Sequence, residues 1–320
     1  MKSLTTSLKW HLEHFKVEFK TIESIFIGGG TPSVVGAKYY SELFKLLYPY
    51  QKENIEITTE ANPNSASYNW LKGMKDLGVN RVSFGVQSFN ENKLKALNRA
   101  HNKIDAINAI DYANKAGIEN ISLDLIYDFL GDSKELIKAD LDLAFSLPIN
   151  HISTYELTIE RGTEFYKKPE LKSNNETLGF FVRDEIIKRG FSQYEVSNYG
   201  VYKSRHNLGY WQYKNYLGVG AGAVGFINNA RYYPHTNIDL FIKEPNYYKK
   251  EILSTKDILT EKIFLGLRSI VGVDKKILTK DMQNRADILV NEGKLYLKNG
   301  RYYNRDFFLS DELALFIEGY

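Results

Sequence analysis

The chain has 320 residues, 43% of them apolar and 25% charged, enough for a sizeable core plus an appended domain, which excludes disordered, collagen-like and small disulfide-rich classes. The 42 basic side chains against 39 acidic ones leave +3, too small an excess to argue a nucleic-acid surface. Cysteine is absent, so no disulfide, zinc–thiolate or iron–sulfur site can be built from the chain's own side chains.

The start, MKSLTTSLKWHLEHF, has no signal-peptide core. From about residue 21 the chain alternates short β-rich runs with amphipathic helical stretches. Strands are predicted at 24–27, 55–59, 81–86, 121–126 and 151–157, and helices at 40–47, 66–77, 92–97, 104–116 and 135–147. Gly78 and Gly117 read as helix C-terminal caps. Parallel strands with helical crossovers make an α/β fold, a barrel or an open doubly wound sheet, and either places its site at the C-terminal ends of the strands. A helix at 176–188 follows, then a Tyr- and Gly-rich irregular stretch over 194–233. The most apolar runs, such as 217–227, are glycine-broken and far short of the roughly 18 residues a spanning helix needs, so a cytoplasmic protein that does not span a membrane is expected. Helices are predicted at 258–268 and 276–291. Asn299-Gly300 between the runs 294–298 and 301–304 signals a type I′ hairpin. Helices followed by a hairpin resemble a winged-helix element, but no basic helix face accompanies it, so nucleic acid is not an expected partner.

Chemistry-bearing residues recur at the strand ends. Gly28-Gly29-Gly30-Thr31-Pro32 follows the first strand; it fits neither the phosphate-loop nor the G-x-G-x-x-G frame and alone reads as a tight βα turn. The second strand ends in Glu60-Ala61-Asn62-Pro63, and the third in Gly85-Val86-Gln87, with Arg99 and His101 beyond a short helix. Asp124 interrupts the apolar fourth strand and needs a partner or a ligand, an ion pair to Arg81 or Arg99 being the plain alternative. Together these groups suit an amino acid head group plus a ribose: Glu60 for the ammonium, Arg99 for the carboxylate, Asp124 for hydroxyls. S-adenosylmethionine carries all three.

FIGGGTPS, TTEANPNS, RVSFGVQSFNENKLKALNRAH, ISLDLIYDFLGD and HISTYELTIERGTEFY, in that order, resemble the radical S-adenosylmethionine family of oxygen-independent coproporphyrinogen III oxidase and its haem-chaperone relatives. The resemblance implies a partial (β/α) barrel binding S-adenosylmethionine through Gly29, Gly30, Thr31, Glu60, Gln87, Arg99 and Asp124. It divides the chain into a barrel domain at 1–170, a Tyr/Gly-rich flanking segment at 171–255 and a winged-helix-like domain at 256–320. Two departures stand out. Asp128-Phe129-Leu130-Gly131 replaces the usual G-L-P-G, so the loop after Asp124 is expected to differ in shape. The family's first strand and its C-x-x-x-C-x-x-C loop, whose thiolates hold a [4Fe–4S] cluster, are missing. Met1 falls in the first crossover helix, so the chain reads as N-terminally incomplete or, second, as a member that has lost its cluster.

Ser204-Arg205-His206-Asn207-Leu208-Gly209-Tyr210-Trp211 gathers an imidazole, an amide and two aromatics, which suits haem iron and its macrocycle as well as an ordinary histidine beside core aromatics. HNLGYW resembles the H-N-x-x-Y-W motif of the haem-chaperone branch. That resemblance implies haem held by His206, with Asn207, Tyr210 and Trp211 around it, and delivery of haem to membrane respiratory proteins. The alternatives are an oxidase turning coproporphyrinogen III into protoporphyrinogen IX, which needs the cluster, and an inactive truncated scaffold. No residue is assigned a catalytic role. Gly220 to Gly225 matches G-x-G-x-x-G without a strand before it or a helix after it and reads as packing. His11 and His14 read as a helix face and His151 as structural; Glu156 is placed at the barrel interior or mouth without a role.

Overall fold

A computed structural model describes residues 1–162 and 164–320; Thr163, inside the quoted HISTYELTIERGTEFY, lies outside the described residues. The first half alternates as the sequence pattern demands: α1 (Lys2–His14), β1 (Ile22–Ile27), α2 (Ser41–Leu47), β2 (Gln51–Ala61), α3 (Tyr68–Asp76) and β3 (Arg81–Gln87). Then come α4 (Glu91–Ala96), α5 (Lys103–Lys115), β4 (Asn120–Tyr127), α6 (Lys134–Ser146), β5 (His151–Glu156) and α7 (Thr177–Lys188). Short elements follow: β6 (Ser192–Gln193), β7 (Asn198–Gly200), α8 (Arg205–Trp211), β8 (Gly225–Ile227), β9 (Ala230–Tyr233), α9 (Ile238–Lys243) and β10 (Lys249–Ile252). The chain closes with α10 (Thr255–Leu267), β11 (Val273–Asp274), α11 (Lys280–Asn291), β12 (Leu295–Lys298), β13 (Arg301–Asn304) and α12 (Ser310–Glu318).

Two units divide the chain. In the unit made of 24–39 and 55–203, strands run in a seven-stranded sheet of order β1-β2-β3-β4-β5-β7-β6. β2 to β5 pair in parallel, and β7 returns antiparallel to both β5 and β6. Strand side chains alternate between faces. One face carries Val82, Phe84, Ile121, Leu123 and Ile152, all buried; the other carries Glu60, Ser83, Ser122, Asp124, His151 and Ser153. A sheet with one polar face has given up apolar core on that side. Side-chain caps from Ser67, Asn90, Asn102 and Ser133 start α3 to α6, satisfying backbone donors the helices leave open. Gly78 and Gly117 close α3 and α5 at φ +105° and +81°, the left-handed conformation the sequence anticipated.

The loop after β4 is tied down. Lys93 forms a buried ion pair with Asp132 at 2.8 Å and donates to the Ile126 carbonyl at 2.6 Å. Leu130 N–H donates to the Leu171 carbonyl at 2.7 Å, and Phe129 packs with Leu97 and Leu157. Asp128, at φ +66°, accepts from Ser173 Oγ and from Asn175 N–H.

The other unit comprises 1–23, 40–54 and 204–320. It holds two antiparallel three-stranded sheets, β10-β9-β8 and β11-β13-β12. Ile263, Leu267, Val273, Leu289, Tyr302, Leu313 and Ile317 form a buried cluster beside the second. Asn299 at φ +52° and Gly300 at +75° make the primed turn between β12 and β13. Two expectations are corrected here. The stretch 194–233 is not irregular, since β7, α8, β8 and β9 lie in it; strands of three or four residues are too short to leave a periodic signal. The helix expected over 276–291 is broken, because Thr279 accepts from Met282 N–H and caps α11, leaving Lys275–Ile277 as a separate 3-10 turn.

Candidate functional site

The C-terminal ends of β1 to β4 and the segment after α4 converge on one cleft of about 170 Å³, lined by Gly30, Thr31, Pro32, Glu60, Ala61, Asn62, Ser83, Gly85, Gln87, Arg99 and Asp124. Six of the seven residues proposed for the nucleoside, namely Gly30, Thr31, Glu60, Gln87, Arg99 and Asp124, are among them. The seventh, Gly29, turns its amide inward and donates to Glu60 Oε2 at 3.1 Å. Gly29 and Gly30 sit at φ +76° and +53°, where a side chain is disfavoured. Sequence reasoning missed Ser83 and, as a lining residue, Asn62. Asn62 Nδ2 donates to Thr31 Oγ1 at 3.4 Å, and Asn62 N–H donates to Ser33 Oγ at 3.1 Å. Period-two alternation from Arg81 through Ser83 to Gly85 was the signal for Ser83.

Charge in the cleft is set by burial. Asp124 accepts from Ser83 Oγ at 3.3 Å, and burial pushes its carboxyl up to about 6, against the opposing hydrogen bond of Ser153 and the field of Arg81. Arg99 also acts on Asp124 through space. The alternative of an ion pair is thus replaced by serine hydroxyls with two guanidiniums at longer range. Burial likewise raises the Glu60 carboxyl, and the Gly29 amide opposes it. With no opposite charge at contact distance among the described residues, Glu60 is free to take a cationic group, while Asp124, already bonded by serine hydroxyls, suits further hydroxyl donors. The donor set therefore fits the ammonium, sulfonium, carboxylate and ribose of S-adenosylmethionine. It does not fit the iron–sulfur cluster. The chain has no cysteine, and among the described residues no group of three His, Asp or Glu side chains is placed to hold a metal.

The second constellation lies in the other unit. Ser204 caps α8 by accepting from Asn207 N–H at 3.2 Å, and Arg205 donates to the Asn54 carbonyl. One turn apart, His206 and Tyr210 share a face, with His206 Nε2 and Tyr210 Oη at 3.0 Å and their rings edge to face at 4.9 Å. Tyr210 in turn meets Tyr216 edge to face at 4.7 Å. Asn207 and Trp211 occupy the adjacent face, half-buried. Beyond α8, Tyr213 donates to Glu261 at 2.7 Å and Lys214 donates to Glu23, fixing the helix's exit.

The remaining residues fall into structural places. His151 is buried, with Nδ1 2.7 Å from Ser122 Oγ and Nε2 2.7 Å from Tyr194 Oη, and burial keeps it neutral. His11 Nδ1 bonds the Ser7 carbonyl at 2.7 Å, and His14 stacks on Trp10. Glu156, placed by the sequence reading at the barrel interior or mouth, is exposed and pairs with Lys172 at 2.5 Å. In the 220–225 run, α8 precedes and β8 follows, and a Cβ at neighbouring Gly218 would meet the Ala223 carbonyl at 2.1 Å, as close packing requires. Among the described residues no helix is long and apolar enough to cross a membrane.

Comparison with known proteins places this geometry. Residues 8–144 match the model of the Radical SAM superfamily. Heme chaperone HemW of Lactococcus lactis is 34% identical over 277 residues, covering 82% of this chain and 73% of that protein. Heme chaperone HemW of Bacillus subtilis is 34% identical over 276 residues, covering 80% and 72%. Among solved structures, coproporphyrinogen III oxidase (HemN) from Escherichia coli, described as a radical SAM enzyme, superposes with a TM-score of 0.81 over 100% of this chain and 82% of that one. At 16% identity that likeness is one of fold. The mixed α/β architecture, the cleft-lining strand ends and these relatives together assign the chain to the Heme chaperone HemW family of the radical S-adenosylmethionine superfamily.

Proposed function

We propose that the chain binds haem through His206 on α8, holds S-adenosylmethionine in the cleft at the strand ends, and hands haem to membrane respiratory haem proteins. What carries the reading is that HNLGYW folds as a single capped helix, setting His206 and Tyr210 on one face and Asn207 and Trp211 on the next. An imidazole beside flat aromatic surface is a fitting partner for haem iron and macrocycle. Membership of the Heme chaperone HemW family supports the same cargo. In the cleft, S-adenosylmethionine contributes a sulfonium between an amino acid and a nucleoside. Glu60 takes its ammonium, Arg99 its carboxylate and Asp124 its ribose hydroxyls, while the Gly30 backbone permits close approach.

The parallel strands β2 to β5 support a partial (β/α) barrel, and α10, α11 and the β12–β13 hairpin support a winged-helix-like element. Oxidation of coproporphyrinogen III, the other branch of the resemblance, draws on cluster thiolates that this chain's own side chains do not supply. Haem titration tests the reading: the chain should shift the Soret band with saturation, and His206→Ala should lose the shift. Identical spectra in both proteins would remove it.

A further inference from the structure

Gln87 stands in a conformation that its neighbours must impose. It is at φ +68°, left-handed backbone that non-glycine residues rarely adopt, and the register between β3 and β4 shifts between Phe84 and Gln87. A strained residue of this kind persists only where its surroundings over-determine it. Those surroundings are explicit. On one side, His101 Nε2 donates to the Val86 carbonyl at 2.9 Å, which fixes the ring's tautomer; Ser88 N–H also reaches that carbonyl, at 2.8 Å. On the other, Asp140 of α6 uses both carboxylate oxygens: Oδ2 accepts from Ser88 Oγ at 2.5 Å and Oδ1 from Phe89 N–H at 2.9 Å. Ser88 Oγ then accepts from Asn90 N–H at 3.0 Å, linking the clamp to the cap of α4, after which comes Arg99.

We propose that His101 and Asp140 are positioning residues which clamp the backbone on both sides of Gln87 and so hold its side chain toward the nucleoside in the cleft. Neither lines the cleft. The proposal rests on the S-adenosylmethionine reading, and two measurements keep the two separable.

Amide hydrogen exchange on the full chain reads the clamp without ligand. In Asp140→Asn, whose side chain keeps one acceptor oxygen where two are used, the Phe89 amide should exchange at least tenfold faster than in the wild type. Ser88→Ala, which keeps the Phe89 bond, should fall between. Unchanged exchange in both variants overturns the clamp. Calorimetry with S-adenosylmethionine reads its purpose. Gln87→Gly, which accepts φ +68° freely, should weaken binding about tenfold. Asp140→Asn should weaken it severalfold, and the double variant should bind no worse than Gln87→Gly alone, since the clamp acts through that side chain. A double variant showing the product of the two losses, or Asp140→Asn binding like the wild type, overturns the positioning role. A wild-type chain with protected amides and no binding at all refutes the ligand and, with it, the purpose assigned to the clamp, while leaving the clamp itself standing.

Discussion

The Gly29 amide donates to Glu60 Oε2 at 3.1 Å, joining the glycine turn after β1 to the end of β2. The approach depends on the residue before it. A Cβ at Gly28 would lie 2.4 Å from Phe26 Cε1 and 3.0 Å from Glu60 Oε2, so a methyl group must push the ring or the carboxylate aside. Gly28→Ala should therefore cost about 1–3 kcal/mol in stability, the usual range for overpacking, and weaken S-adenosylmethionine binding about tenfold or more. Chemical denaturation and calorimetry on the same preparation check the two effects.

Asp124 gives the fold a pH dependence of defined sign. Its carboxyl titrates at about 6 when folded against 3.8 ordinarily, mainly through burial. Between about pH 4 and 6 the folded state holds a proton the unfolded chain has released, so stability falls as pH rises through this window and stays reduced above it. Asp124→Asn should remove this dependence and stabilise the protein by about 3 kcal/mol at pH 8, while weakening nucleoside binding. Denaturation midpoints at pH 4.5 and pH 8 measure it, both pH values being about 1.5 to 2 units from the folded pKa.

Lys93 and Asp132 form a buried pair that also satisfies the Ile126 carbonyl and the Phe129 amide. Removing one partner strands the other. Lys93→Ala should cost about 3–5 kcal/mol, far more than loss of an exposed pair such as Lys138–Asp142, which solvent screens. Urea unfolding of Lys93→Ala beside Lys138→Ala makes the comparison.

Much of the architecture was legible because long apolar periodicities report burial. β3, β4 and β5 begin within a residue of their expected positions, and Gly78 and Gly117 mark helix ends. β2 begins at Gln51, four residues early, because Gln51 to Asn54 are polar and largely exposed and so carry no strand signal. Thr279 followed by Asp281 was a readable cap that divides the helix expected over 276–291. The cleft residues were legible as odd polar positions at strand ends. Asp140 was not: it lies on a helix otherwise showing an ordinary amphipathic pattern, and its bonds to Ser88 and Phe89 span about fifty residues of sequence that only the tertiary fold closes.

Tyr210 competes for the imidazole it adjoins. With His206 Nε2 3.0 Å from its hydroxyl, haem iron on this imidazole would have to displace that bond or use the other ring nitrogen. Tyr210→Phe keeps the ring contact and removes the hydroxyl, so haem should bind severalfold faster, by stopped-flow absorbance, with the His206-dependent spectrum unchanged.

Calorimetric titration of S-adenosylmethionine into the chain and into Glu60→Gln, Arg99→Met and His206→Ala tests whether the strand-end cleft is a nucleoside site independent of α8. Binding should saturate near one ligand per chain, be lost or weakened at least tenfold in the first two variants, and be kept in the third. No saturable heat, or equal affinity in all four proteins, would contradict such a site.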